Sequence, residues 1–188
     1  MRSPLLLIVN GLPGTGKTTL ARRLAADTAL PVFSRDGIYE TLYDALECDS
    51  QGLPPLLGSA AYALLYSVAG SVLAAGQSAI IEGFFGRPAL RTAELLRMRQ
   101  ICDFMPLQIL CRTDGRVLLE RFLARAGTAG RHSSHQDMRW IAQNEELILL
   151  GHLPPLALGG QIVEIDTTTP HSFDYADLLQ RVRAALLN

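Results

Sequence analysis

The sequence has few cysteines and no surplus of either charge. Its three cysteines, Cys48, Cys102 and Cys111, are widely spaced, and no two of them form a Cys-x-x-Cys pair. Neither a disulfide framework nor a structural zinc site is therefore indicated, and we expect a reducing, cytoplasmic compartment. The formal net charge of −1 at pH 7 provides no bulk field for holding a polyanion. A small substrate is therefore favoured over long nucleic acid, although a local basic patch would be compatible with this charge.

Charge is also missing from one long segment. No charged residue lies between Gln51 and Ile81, and hydropathy alone would make this segment a transmembrane candidate. Prolines, glycines and serines dilute the apolar run, however, and a span here would put the residues before and after it on opposite sides of a bilayer. We therefore expect no membrane insertion, and instead a buried helix from about Ser59 to Ala75.

The clearest motif begins at Gly11. Together with Gly16, Lys17 and Thr18, this residue fills every fixed position of the P-loop pattern G-x-x-x-x-G-K-[ST]. The strand-like run Leu5–Val9 precedes the motif and an amphipathic helical run follows it, which is the context that the motif requires. A glycine-rich turn with a merely solvated lysine is the disfavoured alternative. We therefore predict that the protein binds a purine nucleotide.

The predicted phosphate cradle has a simple physical basis. Glycines let the loop turn its backbone N–H groups inward around an anion, and the start of the next helix presents further N–H groups. Lys17 would place a positive charge at the β- and γ-phosphates, and the Thr18 hydroxyl would be a ligand for Mg²⁺. The predicted nucleotide contacts are Gly11, Pro13, Gly14, Thr15, Gly16, Lys17, Thr18 and Thr19.

The chain of 188 residues suits a single domain, residues 1–188, with a small lid. Strands are predicted at Leu5–Asn10, Pro31–Ser34, Ala79–Glu82, Pro106–Cys111 and Gln161–Asp166. Helices are predicted at Lys17–Thr28, Gly37–Glu47, Ser59–Ala75, Pro88–Gln100, Asp114–Ala126, Asp137–Leu150 and Phe173–Leu187. This alternation predicts an α/β fold, in which a parallel sheet has helices on both faces. Ligands of such sheets bind beyond the carboxyl ends of the strands.

Several features together resemble the small P-loop kinases. They are the P-loop, an acidic residue after the second strand, the step Glu82-Gly83-Phe84 that ends the third strand, and an arginine-rich stretch after the fourth. The group includes nucleoside monophosphate kinases, gluconate and shikimate kinases, chloramphenicol phosphotransferase, polynucleotide kinase and the zeta toxins. The resemblance implies a three-layer fold with a five-stranded parallel sheet in the order 2-3-1-4-5, and ATP and Mg²⁺ as cosubstrates. It also implies an acceptor-binding element at about residues 37–76 and a lid at about residues 125–137.

Asp36 follows the second predicted strand. In-line phosphoryl transfer to an alcohol needs a group that orients the hydroxyl and accepts its proton, and a carboxylate that faces the γ-phosphate does both. In the hydroxyl kinases that this chain resembles, an aspartate at the corresponding place has this role. An N-cap for the helix that follows is the alternative, and the two roles are compatible. The neighbouring Arg35 is predicted either to contact an acidic substrate or to face solvent.

Glu82 ends a predicted buried strand, where nucleoside monophosphate kinases carry Asp-Gly-Phe. A carboxylate here would hold Mg²⁺ through water or bind the acceptor, since its burial without such a partner would be costly. Because glutamate replaces the shorter aspartate, its role stays open. Arg87 lies near the acceptor-binding arginine of those kinases, although it is shifted relative to their pattern. Initiation of a helix before Pro88 is the alternative for Arg87.

Arginines also surround the predicted lid. Arg121 and Arg125 share one edge of a predicted helix, and Arg131 follows in a polar, glycine-rich segment. Arginines that a closing lid delivers can neutralise the charge of the moving phosphoryl group. Arg125 and Arg131 are therefore predicted to be catalytic, with a solvated helix face as the alternative. His132 and His135 are expected on the lid surface, because no further ligand with metal-site spacing accompanies them.

The leading prediction is an ATP-dependent kinase that phosphorylates a hydroxyl of a small molecule, with Asp36 as the base. A nucleotide or polynucleotide kinase is one alternative, and a nucleotide-dependent switch or assembly factor is another. Tyr62 and Tyr66 would line an acceptor pocket or pack against a second subunit, although core burial is the commoner explanation of such a stripe. A homodimer therefore stays open, and the sequence does not identify the acceptor.

Overall fold

The computed structural model describes residues 3–128 and 130–187. Within them, five parallel strands form one sheet in the order β2-β3-β1-β4-β5. The strands are β1 (Leu5–Gly11), β2 (Val32–Ser34), β3 (Ala79–Gly83), β4 (Met105–Arg112) and β5 (Gln161–Asp166). The helices are α1 (Lys17–Thr28), α2 (Arg35–Ala45), α3 (Cys48–Gln51), α4 (Leu57–Ala74), α5 (Pro88–Ile101), α6 (Gly115–Arg125), α7 (Asp137–Leu150) and α8 (Tyr175–Leu187). The predicted fold class and strand order are confirmed.

The two faces of the sheet carry separate cores because the side chains of β1 alternate. Leu6 and Ile8 pack with residues of α4 and α5 on one face. Leu5, Leu7 and Val9 pack with residues of α1 and α8 on the other face. β1 is buried along its whole length, as expected of a central strand that helices cover on both sides. Burial on both faces of the sheet explains the continuous apolar run Leu5–Val9 in the sequence.

A third apolar cluster lies beside the P-loop. Leu12, the second residue of the P-loop motif, is fully buried against Leu118 and Phe122 of α6 and Ile141 and Ile148 of α7. The loop that should bind phosphate is therefore anchored by one apolar side chain. The same contact fixes the positions of α6 and α7 relative to the P-loop.

The long uncharged segment forms α4. By length and composition alone this helix could cross a membrane. Its inner face nevertheless belongs to the core, where Tyr62, Leu65 and Ala69 are buried. Leu64 and Val68 lie on the outer face and are exposed. The expected helix is thus present, and it is buried on one face.

The helix after β2 begins earlier and ends earlier than the sequence predicts. The Ser34 hydroxyl accepts a hydrogen bond of 3.2 Å from the backbone N–H of Gly37, so Ser34 is the N-cap. Asp36 therefore lies in the first turn of α2, and the alternative that made Asp36 the N-cap is wrong. Glu47 has a positive φ of 50°, and it separates α2 from the short α3.

The end of α7 meets the end of β4 at Gly151. The backbone N–H of Thr113 donates a hydrogen bond of 2.9 Å to the Gly151 carbonyl. Gly151 has a φ of 72°, and a Cβ at this position would lie 2.0 Å from the Thr113 carbonyl oxygen. Gly159 has a similar φ of 70°, but a Cβ there would meet open space. An alanine at either position would have a strained backbone, but only an alanine at 151 would also overlap a neighbouring atom.

We expect Gly151→Ala to destabilise the protein far more than Gly159→Ala. Both alanines adopt an unfavourable left-handed backbone, which costs about 1 kcal/mol. Only the alanine at 151 also overlaps a backbone carbonyl, so its total cost should reach about 3 kcal/mol or more. Urea denaturation of the two variants measures the difference in unfolding free energy. Equal losses of stability would contradict the close approach of α7 to β4.

Candidate active site

Close contacts that only glycine permits give the P-loop its shape. A Cβ at Gly11 would lie 2.6 Å from Thr15 Oγ1 and 2.9 Å from the carbonyl oxygen of Cys111. The Thr15 side chain is buried, and its hydroxyl donates a hydrogen bond of 2.8 Å to the Leu12 carbonyl. Gly16 has a φ of 77° and is the N-cap of α1. The loop is thus held in a curved form that suits a bound anion.

The remaining predicted nucleotide contacts lie at the start of α1 and in the loop before it. Lys17 is buried in the first turn of α1, beside the half-buried Thr18, whereas Thr19 is exposed. Pro13 and Gly14 are half-buried in the loop. All eight predicted contact residues therefore lie within residues 11–19, at the positive end of a helix. Their individual contacts with a nucleotide stay predictions.

A buried carboxylate lies next to the P-loop. Glu82 is only 1% exposed, and the Thr18 hydroxyl donates hydrogen bonds to both of its oxygen atoms, at 3.2 and 3.3 Å. The Ser34 hydroxyl at the end of β2 donates a further hydrogen bond to Glu82. Among the residues that the structure describes, Glu82 has no ion pair. Hydroxyl and carboxylate oxygens side by side suit a hard cation, so this position favours the magnesium role over the acceptor role.

Positive charges surround Asp36 in the first turn of α2. Its carboxylate forms an ion pair of 3.0 Å with Arg35. Burial acts to raise the pKa of Asp36, but the charge of Lys17 and the ion pair with Arg35 outweigh burial and hold the pKa below its ordinary value. The carboxylate is therefore ionised at neutral pH.

A large cavity, which we call the main cavity, lies beside Asp36. It has a volume of about 620 Å³ and lies between the P-loop, α2, α4, α5 and α7. Pro13 of the P-loop and Asp36 both line it. Five arginines also line it, namely Arg35, Arg87, Arg91, Arg131 and Arg139. Aromatic rings contribute much of the remaining wall, among them Tyr39, Tyr62, Phe84 and Trp140.

The predicted lid arginines differ in their surroundings. Arg131 lines the main cavity and forms a bidentate ion pair with the buried Asp137, with N···O distances of 2.7 and 2.8 Å. Arg125 lies over the Phe122 ring and is 3.9 Å from Asp137. Burial, followed by the nearby charge of Arg131, lowers the pKa of Arg125. Arg125 does not line the cavity in the part of the chain that the structure describes.

Arg121, the weaker of the sequence candidates, has a defined contact. Its guanidinium donates hydrogen bonds of 2.9 and 2.7 Å to the backbone carbonyls of Thr167 and Thr168. These residues follow β5. Arg121 also lies near Gly14, because a Cβ at that glycine would be 4.0 Å from the arginine Cβ. The arginine therefore joins the P-loop region to the loop after β5.

The lid segment rests on α2. His135 contacts Glu40 at 2.6 Å and His132 contacts Asp44 at 3.1 Å. The sequence predicted both histidines on the lid surface, whereas the structure shows them at the contact with α2. The described residues contain no group of three or more side chains that could hold a metal ion through histidine, cysteine or carboxylate ligands. The lid is thus joined to the helix that carries Asp36.

Sequence reasoning identified Arg87 but missed Arg91. Arg87 is exposed, lines the main cavity and precedes α5. Arg91 is one turn further along and is only 7% exposed. Its guanidinium carbon lies 3.4 Å from the centroid of the Tyr62 ring, and it forms an ion pair of 2.6 Å with Glu94. The spacing of four between the two arginines was a signal that both face the same side of a helix.

A family of known proteins matches most of this chain. A family model described as an AAA domain matches residues 6–147. The chain belongs to this AAA domain family. Uncharacterised proteins of Mycobacterium tuberculosis (strain H37Rv) and Mycobacterium bovis are 31% identical to this AAA domain over 131 residues, which is 65% of this chain and 26% of theirs. The chain therefore spans about a quarter of the length of the curated relatives that it matches.

Solved structures share the whole fold. A Chloroflexus aurantiacus protein, provisionally described as a kinase, is 39% identical, with a TM-score of 0.87 over 97% of this chain and 98% of that one. Shikimate kinase from Bacteroides thetaiotaomicron is 15% identical, with a TM-score of 0.57 over 98% and 99% of the two chains. Kti12 from Chaetomium thermophilum, in complex with ADP-AlF3, is 17% identical, with a TM-score of 0.64 over 97% and 99%. The last two show the fold alone. With the P-loop and the family match, these findings put this AAA domain among the small P-loop kinases.

The electrostatic coupling at Asp36 leads to a pH prediction. Because its folded pKa is lowered, the ionised carboxylate stabilises the fold above about pH 4. That contribution is lost as the pH falls through the folded pKa. Lys17→Met and Arg35→Gln should each raise the pKa of Asp36, since each removes a nearby cation and leaves burial less opposed. Carbon-detected NMR titration of side-chain carboxyls measures the change.

Asp166 serves as the internal reference in the same spectra. Hydrogen bonds from Thr168 lower its pKa, and Lys17 does not contribute. Its titration should therefore stay the same in the Lys17→Met variant. An Asp36 titration that is unchanged in both variants would contradict the described coupling.

Proposed function

We propose that this chain is an ATP-dependent kinase that transfers the γ-phosphate to a hydroxyl of a small molecule, with Asp36 as the base. The position of Asp36 supports this most. Its carboxylate lines a cavity that reaches the P-loop at Pro13, and the charge of Lys17 acts on it. The cavity volume of about 620 Å³ is typical of small-molecule sites.

In the proposed reaction the P-loop N–H groups and Lys17 bind the phosphates, and the acceptor hydroxyl lies between Asp36 and the γ-phosphorus. The hydroxyl oxygen forms a bond to phosphorus, while the bond from phosphorus to the β–γ bridging oxygen breaks and ADP leaves. The hydroxyl proton passes to the Asp36 carboxylate. The lowered pKa of Asp36 means that this carboxylate is ionised and orients the hydroxyl before transfer.

Thr18 and Glu82 fit a magnesium ion. Their oxygen atoms are adjacent, and the carboxylate is buried without a cationic partner among the described residues. The Thr18 hydroxyl would be a direct ligand, and Glu82 would hold the ion directly or through water. When bound, Mg²⁺ neutralises charge on the β- and γ-phosphates. Glu82 thus acts on the nucleotide side of the site in this proposal.

The arginines have separate proposed roles. Arg131 already lines the main cavity, so it would stabilise the transferred phosphoryl group after a small change in its pairing with Asp137. Arg125 would need a lid movement to reach the same place, and lids of this kind do move during catalysis. Arg87 and Arg35 line the acceptor side of the cavity. They would contact the acceptor.

Asp36→Asn should abolish transfer while it leaves ATP binding intact, because the amide cannot accept the hydroxyl proton. We expect a loss of kcat of at least about a hundredfold. Lys17→Ala should weaken both ATP binding and transfer. The acceptor is first found by incubating the protein with a metabolite and antibiotic library and γ-labelled ATP. Calorimetry with ATP and magnesium then measures binding for each variant.

Asp177→Asn is the matched control for this substitution. Asp177 is an exposed residue of α8 that forms an ion pair with Arg181. Its substitution should change neither kcat nor the affinity for ATP. Transfer at the wild-type rate by Asp36→Asn would eliminate Asp36 as the base.

Glu82→Gln should raise the magnesium concentration that gives half-maximal activity by at least about tenfold, because a ligand-positioning carboxylate is lost. A magnesium titration at saturating ATP measures this shift. Glu164→Gln, at an exposed position of β5, is the control and should behave as wild type. An unchanged magnesium dependence in the Glu82 variant would argue against the proposed metal position.

The acceptor library also separates the alternative functions. Label transfer restricted to nucleotides or oligonucleotides would favour a nucleotide or polynucleotide kinase. Slow ATP hydrolysis that no acceptor changes would favour a switch or assembly factor.

A further inference from the structure

The main cavity carries more positive charge than the proposed reaction needs. Five arginines line it, against two carboxylates, Asp36 and Asp137. Both carboxylates already have arginine partners, because Asp36 pairs with Arg35 and Asp137 pairs with Arg131. Arg87 and Arg139 have no carboxylate partner among the described residues. A cavity of this composition favours a ligand with negative charge of its own.

Two of these arginines are concentrated at one tyrosine ring. The guanidinium carbons of Arg91 and Arg35 lie 3.4 and 5.1 Å from the centroid of the Tyr62 ring, and are therefore at most about 8.5 Å apart. The Tyr62 hydroxyl donates a hydrogen bond to the Phe84 carbonyl, which holds the ring in place. Each guanidinium already has one carboxylate partner, Asp36 for Arg35 and Glu94 for Arg91. An anion bound at both would reduce the repulsion that remains between them.

One of the two guanidinium groups has an unpaired donor. Glu94 accepts from Nη1 of Arg91, which is one of the five N–H bonds of that guanidinium. Asp36 likewise accepts from Nη1 of Arg35, while the Nε atom of Arg35 is buried and has no hydrogen-bond partner. A buried donor without a partner is costly unless a ligand satisfies it. Carboxylate and phosphate oxygens match the fork geometry of these donors.

We propose that the phosphate acceptor is an alcohol that also carries a carboxylate or phosphate group, and that this anionic group binds beside Tyr62 at Arg35 and Arg91. This inference rests on the proposed function, because it names the class of acceptor for the same site. The anionic group fixes one end of the acceptor between α2 and α5, beside Tyr62 of α4. The hydroxyl at the other end then reaches Asp36. Arg91 is in this view the residue that selects charged acceptors over neutral ones.

Binding can be measured without any phosphoryl transfer. Trp140 is the single tryptophan of the chain and lines the main cavity, so its fluorescence reports on that cavity. The protein is first saturated with magnesium and a non-hydrolysable ATP analogue, which fills the P-loop. Malonate and inorganic phosphate are then titrated as carboxylate and phosphate probes, against sodium chloride at equal ionic strength. We expect a saturable change with at least one probe and none with chloride.

Arg91→Gln should weaken this binding at least tenfold, since a charge-assisted hydrogen bond is lost. Arg91→Lys should recover part of it. Arg35→Gln, at the half-buried second arginine of the same subsite, provides a second variant in case the buried Arg91 is needed for folding. Arg97→Gln is the control, because Arg97 is an exposed residue of α5 that does not line the cavity. A fluorescence change that follows ionic strength alone, or equal affinity in the Arg91, Arg35 and Arg97 variants, would overturn the proposal.

Matched acceptors provide the second measurement. D-gluconate is compared with D-glucitol for the carboxylate arm, and D-glucose 6-phosphate with D-glucose for the phosphate arm. The anionic member of a pair should give at least tenfold higher kcat/KM, and Arg91→Gln should raise its KM with little change in kcat. Preference for the neutral members would overturn the anionic acceptor. Anion binding that depends on Arg91, without label transfer to any compound of the library, would instead count against the kinase function alone.

Discussion

The hydrogen bonds that surround Glu82 are the constraint on which the site depends. This carboxylate ends β3 and accepts hydroxyl hydrogen bonds from Thr18 at the start of α1 and from Ser34 at the end of β2. Three segments that are distant in sequence are thereby joined at one point. Because the carboxylate is almost fully buried and its burial would be costly without a partner, this is the point at which we propose that a cation binds beside the P-loop. The fold therefore brings a phosphate cradle and an acidic partner together before any ligand binds.

Ser34 connects this point to the acceptor side. Its side chain donates a hydrogen bond to Glu82 and accepts one from the N–H of Gly37. Ser34 is therefore both the last residue of β2 and the N-cap of α2. Asp36 consequently lies in the first helical turn, where Lys17, Arg35 and His135 keep its carboxylate ionised despite burial. The segment predicted to be a lid contacts the same helix through His132 and His135.

Much of the fold followed from local patterns. The bounds of α1, α7 and β5 agree with the prediction to the residue, because each has a clear apolar period and a marked start or end. The break at Glu47 and the early start of α2 were not predictable, since they depend on one hydrogen bond from Ser34 and on a left-handed backbone at a residue that seldom adopts it. The family match and the full-length similarity to a kinase-like structure agree with the resemblance inferred from the motifs.

The sequence by itself predicted the phosphate cradle and a parallel sheet, because a P-loop has a fixed local geometry and strands that alternate with helices form such a sheet. The order of the strands followed from the resemblance to the small P-loop kinases. The sequence also named Asp36 and Glu82, since both follow strands at the edge where ligands bind. Only the tertiary structure decided that Glu82 lies against Thr18, that Arg131 is paired with Asp137, and that Arg91 and Arg35 meet at Tyr62. These contacts join residues on different helices and strands, and their geometry depends on how those elements pack, which no local pattern of residues specifies.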